Sequence, residues 1–146
     1  MNALKFACAL LLVCGSLGAA HARDTRLLVP LEEVIQMGLA DGKLDGSVTF
    51  HLSGAAAPAV KEALGDDVSN KKTNGVGKDD LTACRWAALS ALIAFQASAK
   101  KRGADAVVDM HSVYKGNNVK DPVNFECHAG NIVVGVALKG SYAKTR

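Results

Sequence analysis

The residues with the greatest chemical potential in this 146-residue chain lie in "FECHAGNIVVGVALKG", residues 125–140, where Cys127 adjoins His128 at the mouth of an apolar run. A thiolate beside an imidazole pairs a nucleophile with its base, and the same two residue types are common zinc ligands. The other reading is a disulfide through Cys127, with His128 on the opposite strand face. Asp109 and His111 alternate on one strand face of "ADAVVDMHSVY", and with His128 they form a conceivable two-histidine, one-carboxylate metal set. No fixed spacing joins the three, and the plainer reading is a polar strand face. In "NKKTN", Asn70, Lys71, Lys72, Thr73 and Asn74 set two lysines among amide and hydroxyl donors in what reads as a polar loop. Such a patch could grip an anionic glycan, a lipid head group or a partner peptide, or simply be solvated.

Other chemistries are poorly served. No Gly-x-Ser-x-Gly motif occurs, and Ser112 cannot pair with His111 because adjacent strand residues point to opposite faces. "GVGKDD" keeps only the Gly-Lys of a phosphate loop: Lys72 stands where the first glycine belongs and Asp79 replaces the magnesium-binding Ser or Thr. A formal charge of +3 is too mild for a nucleic-acid partner. No cofactor is expected.

The compartment follows from the first residues. Lys5, the apolar "FACALLLVCGSLG" and the small-x-small "AHA" read as a secretory leader, cleaved after Ala22, which places the chain in the periplasm. Cys8 and Cys14 leave with it, neither in a lipid-attachment pattern, and the charge falls by one with Lys5. No further apolar run is long enough to span a membrane. Cys84 and Cys127 remain, in an oxidising compartment that favours a bridge.

The elements that must position these residues read as a single α+β domain over residues 23–146, a small mainly antiparallel sheet packed on one long helix. A short helix, Leu31 to Ala40, is an N-terminal addition, opening after Pro30 with two glutamates in its first turn. Ser47 to Leu52 alternates as a strand, and "DDVSNKK" is a short extended segment leading into the polar loop. The long helix starts at Asp79 or Asp80 and stops at Gly103, with Lys100, Lys101 and Arg102 suited to its negative end. One apolar stripe carries Leu81, Cys84, Ala88, Leu92, Phe95 and Ala99, and a second carries Trp86, Leu89 and Ile93. Two stripes predict a sandwiched helix with Trp86 in the core. Ala104 to Tyr114 is the next strand, and the last runs on from Phe125 with a bend near Gly130. From Cys84 the helix advances about 28 Å and the strand after Gly103 returns about 27 Å, so the segment opening with Cys127 meets the helix start. A structural disulfide follows.

The residues "GADAVVDMHSVY" and "FECHAGNIVVGVALKG" resemble the C-terminal half of RcsF-type envelope-stress sensor lipoproteins and of YbjQ-type domains, over roughly residues 59–143. "NKKTN", "ACRWAALSALI" and "FECHAGNIVVGVALKG" are also similar to small exported proteobacterial proteins often labelled excinuclease ATPase subunits, a label that the incomplete phosphate loop does not support. The resemblance implies an RcsF/YbjQ-like fold. Of the two RcsF bridges, one maps onto Cys84 and Cys127. The other maps onto Val113 and Val133, replaced together as expected of positions facing each other across strands. It implies a periplasmic, non-enzymatic interaction or envelope-stress protein whose partner is another envelope protein or an anionic glycan or lipid. A periplasmic metal- or anion-binding protein is the alternative, and a hydrolase the third. Homo-oligomerisation stays open.

Overall fold

The computed structural model describes residues 21–146. The predicted leader therefore lies outside the described residues except for His21 and Ala22. The chain is α+β: six strands in one curled, mainly antiparallel sheet, with two helices. In chain order these are β1 (Thr25–Pro30), α1 (Leu31–Ala40), β2 (Thr49–Leu52), β3 (Glu62–Asn74), α2 (Asp80–Arg102), β4 (Ala106–Ser112), β5 (Asn124–Ala129) and β6 (Val133–Lys144).

The helices form where the sequence places them, and local chemistry explains both ends of α2. The Asp79 carboxylate accepts the Thr82 N–H at 2.9 Å, and Gly103 closes the helix in the left-handed region at φ 73°. Its small residues Ala83, Ala87, Ala88, Ala91 and Ala99 are fully buried and let the sheet approach closely. The helix is not sandwiched, however. Trp86 is 42% exposed and Ile93 37%, because α1 meets α2 only along one flank, at Leu89 and Gly38. A Cβ on Gly38 would lie 2.7 Å from side-chain atoms of Leu44 and Leu89, so glycine sets how near α1 comes.

β6 organises the sheet. It pairs antiparallel with β3 along one edge and, along the other, with β5 near its start and β4 beyond. β1 adds antiparallel to β5, and β2 adds parallel to β4. One sheet face, with Val134, Val136, Leu138 and Tyr142 of β6, Val107 and Met110 of β4 and Phe125 and Cys127 of β5, joins the inner side of α2 in the core. The Cys84–Cys127 disulfide crosses that core, with Cα atoms 5.8 Å apart. Closing a loop of this length stabilises a fold by about 4 kcal/mol in the chain-entropy account.

Several local expectations are corrected. Thr25–Pro30, unassigned from sequence, is a strand, and "NKKTN" is the end of the long strand β3 rather than a loop. Gly130 marks a hairpin turn, its N–H donating to Val133 O, so the last segment is two strands and not one bent strand. The alternation of β4 is interrupted by a bulge between Val108 and His111, where Asp109 takes φ 50°. Val113 bonds Ala137 while Val133 pairs with Asn74, so these two valines do not face each other. Among the described residues no helix is long and apolar enough to cross a membrane.

Candidate functional site

Strand alternation builds the candidate site on the sheet face turned away from α2. Cys127 is fully buried beneath the sheet, so its neighbours Glu126 and His128 emerge on the other side. Register then aligns residues from four strands. Lys72 of β3 lies opposite Gly135 of β6, Gly135 opposite His128 of β5, and His128 opposite Arg26 of β1. Three basic side chains therefore stand in one row across the sheet. Gly135 leaves a gap in that row, with the position of its missing Cβ 3.6 Å from Lys72 Cγ.

His128 is the hub. Its Nδ1 meets Asp24 Oδ1 at 2.7 Å and its Nε2 meets Glu126 Oε1 at 2.5 Å. Each ring nitrogen of His128 is thus occupied by a carboxylate oxygen, one on either side of the imidazole. Tyr114, on the 3-10 turn after β4, stacks flat on the imidazole with ring centroids 3.6 Å apart. The other Glu126 oxygen accepts Arg26 Nε at 2.7 Å, the Glu126 N–H donates to Ser112 Oγ at 2.7 Å, and Lys115 Nζ reaches Asp24 at 3.2 Å. The hydrogen bond from His128 holds the Asp24 carboxyl below its ordinary range, against some desolvation and with help from Lys115. Burial opposes the charge on Glu126, but hydrogen bonds from His128 and Arg26 outweigh it and its carboxyl is also lowered.

Above this cluster opens a cavity of about 330 Å³, lined by Arg23, Asp24, Lys72, Tyr114, Lys115 and His128 among others. Asp24 and Glu126 are each engaged by cations, and Arg23 is paired with Asp80. Lys72 has no ion-pair partner among the described residues, leaving the cavity a surplus of positive charge.

The remaining candidates are not brought together. The period of β3 splits "NKKTN": Asn70, Lys72 and Asn74 share the cation-row face, while Lys71 and Thr73 turn towards α2. There Lys71 lines a separate cavity with Ser69, Ser98 and Tyr142. His111 lies opposite Lys139 on β6, four residues from Gly135, which puts it about 13 Å along the sheet from His128. Its Nδ1 contacts the Asp109 carbonyl oxygen at 2.8 Å, and the Asp109 carboxylate pairs with Lys120 at 3.5 Å. Among the described residues no three His, Cys, Asp or Glu side chains are grouped to hold a metal ion. Sequence reasoning missed Asp24, Arg26, Tyr114, Lys115 and Glu126. Only Glu126 carried a signal, two residues from His128 on the same strand face. Comparison of the chain with protein-family models, curated proteins and solved structures finds no match.

Proposed function

We propose that this chain is an exported, non-enzymatic binding module of the cell envelope that takes an anionic group of a partner on the outer face of its sheet. The observation that carries this reading is the row Lys72–His128–Arg26 across the gap at Gly135. Catalysis is poorly supported at the same place. Cys127 is bridged, His128 has a carboxylate on each nitrogen and so no free site to accept a proton, and buried Ser112 already receives the Glu126 N–H. A surplus of cations on a cavity floored by glycine suits a phosphate or carboxylate, the chemistry shared by anionic lipids and acidic glycans. The RcsF-like residues support a place in the envelope.

Calorimetric titration tests this with three probes: inorganic phosphate, vesicles containing phosphatidylglycerol, and vesicles of phosphatidylcholine alone. Binding of phosphate or of the anionic vesicles should weaken with salt and fall about tenfold in Lys72→Glu, while neutral vesicles do not bind. Binding indifferent to Lys72→Glu, or none to either anionic probe, overturns the proposal.

A further inference from the structure

The other end of the strand order carries a surface of different chemistry. β2 pairs with β4 alone among the described residues. The Thr49 N–H donates to Asp105 O at 3.0 Å and the Ser53 N–H to Met110 O at 2.8 Å, both on the β4 side. By the two-residue period of a strand, Phe50 and Leu52 turn their amide groups to the opposite edge. The Leu52 carbonyl is taken there by the Ala55 N–H. The Phe50 N–H and C=O and the Leu52 N–H face that edge with no strand beside them. A strand edge with no strand beside it is a template for another strand. β2 is short and the Phe50 and Leu52 side chains are buried in the core, so it is their main chain that is offered there, and no charged side chain or proline lies within Thr49–Leu52 to block it.

Alongside this edge runs a groove between β2 and α1. It consists of two adjoining cavities of about 260 and 300 Å³ that share Glu32, Ile35, Phe50 and His51. Its walls are mainly apolar, and Val123 at one end and Leu39 at the other are respectively 58% and 39% exposed. No lysine or arginine lines either cavity. Glu32 is the only carboxylate there; it accepts the Gln36 side-chain amide and has no ion pair among the described residues.

From these features we infer that β2 is a docking edge for an extended segment of a partner polypeptide, which adds as a strand beside Phe50 and Leu52. Main-chain bonds to Phe50 and Leu52 hold the segment, and side chains two residues apart enter the two cavities. The unbalanced carboxylate sets the remaining requirement, a lysine or arginine on the segment that meets Glu32. The site is separate from the cation row, so the two proposals stand or fall independently.

Selection of random 12-residue peptides displayed on phage against the purified protein tests it. Enriched peptides should alternate apolar and polar residues and carry a basic residue. Synthetic versions should slow amide hydrogen exchange at Phe50 and Leu52 at least tenfold. Affinity should drop at least tenfold in Ile35→Lys and several-fold in Glu32→Gln, and be unchanged in Lys72→Glu. Val123→Lys, at an exposed position, repeats the test should Ile35→Lys fail to fold. The inference is overturned by failure to enrich any peptide, or by binding that survives Val123→Lys and protects other amides. Exchange protection at Phe50 that needs no peptide and rises with protein concentration overturns it too, since a second copy would then be the occupant.

Discussion

His128 holds two carboxylates, Glu126 two residues away on its own strand and Asp24 just before β1, and its removal leaves both short of a partner. Glu126 suffers most, because its side chain is only 6% exposed and would keep the half-exposed Arg26 as its sole counterion. His128→Ala also removes the stacked face of Tyr114. Charge-assisted hydrogen bonds and one aromatic stack together argue for a loss of about 2–3 kcal/mol in urea unfolding. A loss below about 0.5 kcal/mol would mean that the imidazole is a bystander on a solvated strand face. The acid limb of stability belongs to the same residues. Asp24 and Glu126 have carboxyls lowered in the fold, so the folded state binds their protons less readily than the unfolded chain does. Their contribution is complete above the unfolded carboxylate range, roughly pH 4 to 4.5, and is lost as pH falls through the lowered folded values. Glu126→Gln should therefore flatten the fall in stability below about pH 4.5. Urea unfolding at a series of acid pH values reads this directly, and an unchanged slope would place the acid sensitivity elsewhere.

At the scale of elements, the bond between α2 and β5 fixes where the helix start sits on the sheet. Cys84→Ser and Cys127→Ser each remove one and the same cross-link over a sequence separation of 43, so each should cost about 4 kcal/mol. The double variant should be no worse than either single one by thermal unfolding, because the pair is a unit. A double variant much less stable than both would show that the thiols also act separately in packing. The bridge was legible in the sequence because the expected leader and oxidising compartment, with the lengths of helix and returning strand, all pointed to it. Both helices were legible for a related reason, since capping residues and apolar stripes are local signals. The strands at the edges were not. β3 buries only Ser69 among its 13 residues, so "EALGDDVSNKKTN" has no apolar alternation to read. The bulge at Asp109 changes which β4 residues share a face, something an unbroken two-residue count cannot register. In the candidate site, the outward direction of His128 followed from alternation with Cys127. Its partner Asp24 lies 104 residues away in sequence on an unassigned segment, and only tertiary pairing joins them.

Taken as a whole, the molecule is layered around β6, which is bonded to β3 on one side and to β5 and β4 on the other. Its inward residues Val134, Val136, Leu138 and Tyr142 are at most 1% exposed. The sheet's outer members differ: β1, β2 and β3 each pair with one neighbour, and all three border the surfaces proposed to bind partners. Opening a strand that has one neighbour breaks one ladder, whereas opening β6 breaks three and exposes the core against α2. Amides in β6 should therefore exchange only through global unfolding, while those of β1 and β2 exchange through cheaper local openings. Native-state hydrogen exchange resolves the two classes residue by residue. The disulfide sharpens the test. If the sheet opens as one unit, reducing Cys84–Cys127 should lower protection at Leu138 by about 4 kcal/mol, the same free energy that global unfolding loses. Protection at Leu138 that survives reduction while β5 loses its own would divide the sheet into two cooperative units. The centre would then lie between β4 and β3, away from the bridge.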